Sequence, residues 1–210
     1  MTLSRLLCGR GHYLCIRLKM HHMDFHRYLL VFEDILHASP PSAPYDNAAY
    51  LDYAKLNWSR MSRWLKKGVL SEVVVETVRR INAPQHWLVI TEPWCGDAAH
   101  TLPFIQLIAQ QNTHISVEYE LRDSPPFRIE KYLTNGSKSI PKLIIRDGKG
   151  NDLATWGPRP AACQQLYDQL KVEGADFETQ KVALQNWYNA DKGQSLQQEL
   201  CELIAEVVSH

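Results

Sequence analysis

The sequence lacks any long apolar run and any excess of charge of one sign. Its apolar stretches are far shorter than the ~20 residues that a membrane-spanning helix needs. It carries 23 Lys and Arg against 23 Asp and Glu, so charge favours neither a nucleic acid nor an anionic membrane as a partner. Hydrophobic residues make up 45% of the 210 positions and charged residues 22%, as in ordinary globular proteins. We therefore expect one domain with additions, and neither a nucleic-acid nor a membrane partner.

Cysteine is also scarce, and its spacing excludes a disulfide framework. Five cysteines, an odd number, are spread widely along the chain, unlike those of a small secreted domain. This pattern favours a reducing compartment, and we expect a cytoplasmic protein. The cysteines are Cys8, Cys15, Cys95, Cys163 and Cys201.

The basic N-terminal stretch offers one spacing that could hold zinc. Cys8, His12 and Cys15 are followed by His21 and His22, and such clusters can ligate zinc. The helix and turn signals around them are poor. We therefore predict a disordered tail over residues 1–22 and no metal site.

The most informative stretch leads from a strand into Cys95. Trp87 to Ile90 is an apolar, β-branched run typical of a buried strand, and Pro93 ends it. Gly96 and Asp97 then open a helix. Since unpaired N–H groups at a helix start stabilise an anion, this position predicts a thiol that ionises easily.

Several motifs here resemble the thioredoxin family. Trp94 to Ala98 reads Trp-Cys-Gly-Asp-Ala, where that family carries Trp-Cys-Gly-Pro-Cys, and Pro103 falls where thioredoxins kink the same helix. Ser139-Ile140-Pro141 resembles the family's cis-proline loop, and Trp156-Gly157-Pro158 resembles the glycine turn beside it. The likeness covers roughly residues 84–173 and is nearest to bacterial members of unassigned function with the same Trp-Cys-Gly-Asp-Ala form. It implies a three-layer α/β/α fold with a mixed sheet.

The chain departs from the family where a resolving thiol is expected. Position 98 is alanine, so the second step of dithiol exchange has no local agent. Val89 replaces the family's buried acid on the preceding strand. Asp97 places a negative charge near the sulfur, which would raise the thiol pKa against the helix dipole.

The resemblance assigns the catalytic role to Cys95 and suggests a substrate groove around it. The backbone at Ile140, before a cis Pro141, would pair with an extended substrate. Arg159 would face Cys95, where it could lower the thiol pKa or hold a substrate carboxylate, or it is a solvated surface residue. The predicted substrate-binding residues are Trp94, Gly96, Ile140, Pro141, Trp156 and Arg159.

Other groups near the motif receive lesser roles. Asp97 is expected to cap the helix through its N–H groups. His100 lies about 140° around the helix from Cys95 and is expected to be a bystander. Cys163, on the last helix of the core, is expected to lie too far from the active-site edge to resolve a mixed disulfide.

Helical patterns flank the thioredoxin-like segment on both sides. We predict a helical extension over residues 23–83, the core over 84–173 and a second helical extension over 174–210. Aromatic residues spaced along 47–67 are expected to pack on the domain. Between the second and third core strands, residues 127–133 are expected to form one or two helical turns.

The leading hypothesis is a monothiol thiol–disulfide oxidoreductase without a cofactor. Cys95 would attack a protein disulfide or a low-molecular-weight thiol's mixed disulfide, and an external thiol would release the product. The alternative is a non-catalytic protein-binding module of the same fold. A third hypothesis, an iron–sulfur site of the monothiol glutaredoxin kind, is disfavoured because Gly-Asp-Ala follows Cys95 instead of Gly-Phe-Ser.

Overall fold

The computed structural model describes residues 23–208. The predicted tail over 1–22 and its zinc-like spacing from Cys8 to His22 therefore lie outside the described residues. Within the described part of the chain, no helix is long and apolar enough to cross a membrane.

In the part of the chain that the structure describes, four strands form one mixed sheet. They are β1 (Gln85–Thr91), β2 (Ile115–Leu121), β3 (Lys142–Asp147) and β4 (Asp152–Trp156), in the order β2-β1-β3-β4. Strand β1 pairs parallel with β2 and antiparallel with β3, and β3 pairs antiparallel with β4. This is the mixed sheet that the resemblance implied.

The central strand is buried on both faces. Residues 87–90 point alternately to the two faces of β1, and all four are fully buried. Apolar residues without alternation are typical of a strand covered on both sides. Helices therefore cover both faces of the sheet, as expected for an α/β/α arrangement.

Within residues 23–208, seven α-helices surround the sheet. They are α1 (Phe25–His37), α2 (Ala48–Lys67), α3 (Glu72–Arg79), α4 (Gly96–Ala109), α5 (Ala161–Val172), α6 (Phe177–Asp191) and α7 (Gln194–Val208). The predicted turns at 127–133 are a single 3-10 helix, Arg128–Lys131.

The most buried helix is α4, which connects β1 to β2. From Ala98 to Ile105 every residue of this helix is buried, and Pro103 lies inside it. Helix α2 packs along α4, and α3 packs against α7, which also contacts β4. The core of the molecule is therefore built around α4 and β1, and both lead to Cys95.

The first helix is held to the sheet by aromatic rings. The ring of Tyr28 stacks on that of Tyr119 in β2, with 5.4 Å between centroids, and the backbone N–H of Tyr119 donates to the Met23 carbonyl. Buried, stacked aromatic rings stabilise a fold by more than the burial of their apolar surface area alone. This contact fixes α1 against the edge of the sheet beside β2.

The turn after β4 requires a glycine. Gly157 has φ +111° and lies so close to Pro141 that a Cβ would collide with the Pro141 carbonyl oxygen. Only glycine adopts this conformation without strain. The turn therefore packs directly against the proline loop that faces Cys95.

We predict that Gly157→Ala lowers the free energy of unfolding by at least about 2 kcal/mol, because backbone strain and the collision add. Gly150→Ala is the matched control, since Gly150 also has positive φ but a Cβ there would meet nothing within 4 Å. The control should lose only about 1 kcal/mol. Urea denaturation measures both, and equal losses would contradict this account of the turn.

Candidate functional site

Cys95 is the N-cap residue of α4, at the point where the chain leaves β1. Its Sγ accepts a hydrogen bond from the Ala98 N–H at 3.5 Å and donates one to the Ile140 carbonyl at 3.4 Å. The residue is only 6% exposed. The thiol is therefore held between a helix start and the proline loop.

This environment keeps the Cys95 sulfur protonated. Burial raises the pKa of its thiol to about 12, and the negative charge of Asp97 adds to the rise. The Ala98 N–H and the charge of Arg159 lower the pKa, but by less. The expectation of an easily ionised thiol is thus wrong, because desolvation outweighs the helix start. The expected opposing effect of Asp97 is present.

The proline loop has the predicted geometry. The Ile140–Pro141 bond is cis and both residues are buried, but only Ile140 borders the same groove as Cys95, whereas Pro141 does not. The backbone carbonyl before the proline already contacts the sulfur. A substrate strand that pairs with Ile140 would therefore compete directly with the thiol.

Trp156 lies away from the groove. Its side chain is 7% exposed, its indole N–H donates to Glu199 at 2.7 Å, and it is not among the residues that border the groove. Glu199 also accepts from the Ala161 N–H. The structure assigns Trp156 to anchoring α7, so its predicted place in the groove wall is wrong.

Arg159 does border the groove, but its charge is already matched. The guanidinium donates twice to one oxygen of Asp97, at 2.6 and 3.2 Å, and its plane lies over the Tyr167 ring at 4.3 Å. The Tyr188 hydroxyl donates to the other Asp97 oxygen at 2.8 Å. Arg159 is thus neither a solvated surface residue nor free to hold a substrate carboxylate.

The same contacts correct the role of Asp97. Its carboxylate accepts from Arg159 and Tyr188, and the side-chain cap of α4 is Cys95. The predicted capping by Asp97 is therefore wrong. Instead, the carboxylate ties the start of α4 to α6 and to the turn after β4.

His100 has a structural position. Its Nδ1 accepts from the Trp64 indole at 2.9 Å, so the proton is on Nε2, which faces Gln185 at 3.3 Å. The ring stacks flat on Tyr188 with 4.4 Å between centroids. Burial lowers the pKa of His100 to about 3, so the imidazole is neutral and holds α6 against α4. His100 borders the groove, but its hydrogen bonds are to Trp64 and Gln185 and not to the Cys95 sulfur.

Helix α2 contributes a wall that the sequence analysis missed. Tyr50, Tyr53 and Arg60 border the groove, and the Asn57 side chain donates to the Pro93 carbonyl at 3.1 Å. These four positions are spaced three or four apart, so they form one stripe along the helix. The aromatic residues of this stripe were expected only to pack on the domain. The polar residues Asn57 and Arg60 in this stripe could have indicated that it borders a groove.

Gly96 allows this wall to approach the sulfur. A Cβ at Gly96 would collide with the Tyr53 hydroxyl. Trp94 is half-buried, with its ring edge-on to Tyr50 at 6.4 Å and under the Arg122 guanidinium at 4.6 Å. Both residues border the groove, and their binding of a substrate stays a prediction.

The groove itself has a volume of about 860 Å³. Cys95 borders it together with residues of α2, α5 and α6. Six aromatic side chains and six Lys or Arg side chains border it, together with the carboxylates of Asp97, Asp168 and Glu178. Besides the residues described above, its border includes Lys138, Ser139, Pro158, Gln164, Lys171, Phe177, Lys181 and Leu184.

The other described cysteines are free thiols outside the groove. Cys163 on α5 is fully buried, and Cys201 on α7 lies 3.1 Å from the Thr77 hydroxyl. Burial, with the charge of Asp97 next, raises the pKa of the Cys163 thiol to about 12. Within residues 23–208, no group of His, Cys, Asp and Glu could hold a metal ion.

Glu92, in the loop before Cys95, is a buried carboxyl. It is 6% exposed, and its Oε1 accepts from the Asp123 N–H at 3.0 Å. Burial raises its pKa from 4.5 to about 7, and the N–H bond offsets this in part. Glu92 lies three residues before Cys95, so a change in its charge acts on the loop that carries the thiol.

Comparison with known proteins places this site in a family. The family model described as Thioredoxin matches residues 43–171, more than half of the chain. No curated protein matches the sequence. An HIV epitope scaffold of the 4E10 series is 18% identical, with a TM-score of 0.47 over 78% of this chain and 89% of that chain. A protein of unknown function from Pseudomonas aeruginosa is 17% identical, with a TM-score of 0.47 over 89% and 95%.

We predict that Glu92 makes stability fall as pH rises. Its folded pKa, about 7 against 4.5, means that the folded state keeps a proton which the unfolded state releases. Stability is thus lost between about pH 4.5 and 7. Glu92→Gln should match the wild type near pH 4 and exceed it by on the order of 2–3 kcal/mol at pH 8. Urea denaturation at both values tests this.

The matched control is Glu130→Gln, which removes a carboxylate that is 62% exposed. It should change stability by less than about 1 kcal/mol at both pH values. A Glu92→Gln variant that is no more stable than the wild type at pH 8 would contradict the assignment.

Proposed function

Because this chain belongs to the thioredoxin family, we propose that it carries out thiol–disulfide exchange by a monothiol mechanism through Cys95. One observation carries the proposal. The Cys95 thiol lies on a groove wall between the start of α4 and the carbonyl before a cis proline, and the position one turn along is a buried alanine.

The exchange has two steps. In the first, the Cys95 sulfur attacks one sulfur of a disulfide, the S–S bond of the substrate breaks, and the proton of Cys95 leaves with the departing thiol. The product is a mixed disulfide on Cys95. In the second, an external thiol attacks that mixed disulfide, releases the bound half as a new disulfide and returns Cys95 to the thiol.

An external thiol is needed because, among residues 23–208, no second thiol lies in the groove to resolve the mixed disulfide. Ala98 replaces the usual second cysteine, and Cys163 and Cys201 lie outside the groove on α5 and α7. The substrate is a protein disulfide or a low-molecular-weight disulfide that fits the groove.

The surrounding groups control when the sulfur reacts. The Ala98 N–H stabilises negative charge on Cys95 once the proton leaves, whereas burial and Asp97 oppose ionisation. Because the thiolate is scarce at neutral pH, exchange is slow there and accelerates as pH rises. A substrate that pairs with the Ile140 backbone would displace the thiol from its carbonyl partner.

The raised pKa also supports a second candidate function. A thiol that stays protonated at neutral pH is a poor nucleophile. A non-catalytic module would use the same groove and proline loop to hold a partner protein, with Cys95 serving only to cap α4. In that case the binding of the partner would not depend on the sulfur.

The two candidates differ in what Cys95 does with a disulfide. Incubation with excess bis(2-hydroxyethyl) disulfide should add one thiol adduct to Cys95, located by peptide mass mapping. The rate should rise about tenfold between pH 8 and pH 9, because the thiolate fraction rises tenfold. A small external thiol should then remove the adduct.

Cys95→Ser should abolish this adduct, and Cys163→Ser should leave its rate unchanged, because Cys163 is fully buried away from the groove. An unmodified Cys95 at both pH values, in protein that is folded, would reject the exchange function and favour the binding module.

A further inference from the structure

Arg60 is a buried cation on the wall of the catalytic groove. It belongs to the stripe of α2 that faces Cys95, it is 9% exposed, and it borders the groove. Its Nη1 donates to the Asn57 side-chain oxygen at 2.8 Å, and Asn57 in turn donates to the Pro93 carbonyl. The guanidinium is therefore fixed to the loop that carries Cys95.

The charge of Arg60 has no counterion in the described part of the chain. No carboxylate of residues 23–208 lies within 4.0 Å of its guanidinium. Its Nε is buried without a hydrogen-bond partner among these residues. The guanidinium lies over the Tyr53 ring at 5.3 Å, which compensates its charge only in part. A buried and unpaired guanidinium is costly, and it is stabilised when a carboxylate pairs with it.

The other basic side chains of the groove differ from Arg60. Lys171 has no carboxylate partner among the described residues either, but it is exposed. Four more already form ion pairs. These are Arg159 with Asp97, Arg122 with Asp123, Lys138 with Glu130, and Lys181 with Glu178. Arg60 is thus the buried cation of the groove that is left to bind a ligand.

The shape of the surroundings limits the ligand further. Tyr53 and Tyr50 lie on the same stripe of α2 as Arg60 and present rings to the groove. Rings beside a fixed guanidinium suit a short apolar chain that ends in a carboxylate. The 860 Å³ volume has the size of a small-molecule pocket.

We propose that Arg60 binds the carboxylate of an anionic low-molecular-weight disulfide and so presents its S–S bond to Cys95. This inference rests on the proposed exchange function and names its substrate class. The carboxylate is unchanged in the reaction. One half of the substrate joins the Cys95 sulfur, and the other half leaves as a thiol with the Cys95 proton.

The first test compares three disulfides of similar length at pH 8: the dianionic 3,3′-dithiodipropionate, neutral bis(2-hydroxyethyl) disulfide and cationic cystamine. The wild type should form the Cys95 adduct about tenfold faster with the dianion than with the neutral compound, and slowest with cystamine. Intrinsic differences are removed by dividing each rate by that of a small free thiol with the same compound.

Variants assign the preference to one residue. Arg60→Gln should remove the preference for the dianion. Arg60→Lys should keep part of it, because lysine is positively charged but lacks the planar guanidinium that binds a carboxylate through two hydrogen bonds. Lys171→Gln removes an equal charge from the same groove and should change the preference by less than about twofold. Circular dichroism and urea denaturation verify that each variant is folded. A preference that survives in folded Arg60→Gln overturns the proposal.

The second test separates binding from chemistry. Octanedioate has the chain length of 3,3′-dithiodipropionate but no sulfur, and its binding to the Cys95→Ser variant can be followed by calorimetry. Binding that Arg60→Gln abolishes in this background supports the anion site even if Cys95 proves unreactive. Reaction of Cys95 with the neutral disulfide, without octanedioate binding or a preference for the dianion, rejects the anion site and leaves the exchange function intact.

Discussion

The site depends on one contact, the hydrogen bond from the Cys95 thiol to the Ile140 carbonyl. It joins the start of α4 to the proline loop before β3, two segments that the sheet brings together from distant parts of the sequence. Because the contact is buried, it holds the sulfur as a neutral donor instead of a thiolate. The glycine turn after β4 packs against the proline loop, since Gly157 lies against the Pro141 carbonyl, and it thereby helps to fix the position of Ile140.

A second constraint follows from the charge of Asp97. This carboxylate lies two residues after Cys95 and raises the pKa of the thiol. Arg159 and Tyr188 both donate hydrogen bonds to it and hold it in place. In this ion pair, the negative charge of Asp97 opposes the positive charge of Arg159, which by itself lowers the pKa of the thiol. Arg60, on α2, is left without a carboxylate partner among the described residues. These two cations of the groove thus differ in pairing: Arg159 has a carboxylate partner, and Arg60, on the α2 stripe, has none among the described residues.

Much of this arrangement could be predicted from the sequence, because the relevant signals are local. The buried strand at 87–90, the helix that opens after Cys95 and the helices on both sides of the core follow from apolar runs, breakers and helical spacing. The cis bond before Pro141 was expected from a short motif. What could not be predicted depends on distant pairings: Arg159 with Asp97, Trp156 with Glu199, and the burial that keeps Cys95 protonated. A sequence shows which groups are charged, but not which of them desolvation will neutralise.

The most direct test of the central claim is the titration of Cys95 itself. Protein labelled with ¹³C at the cysteine Cβ atoms, with the signal assigned through Cys95→Ser, can be followed by nuclear magnetic resonance from pH 6 to pH 10. The account predicts a constant thiol shift across this range, because burial raises the pKa to about 12. A titration centred near pH 7 would contradict it and would mean that the sulfur rests as a thiolate, released from the Ile140 carbonyl.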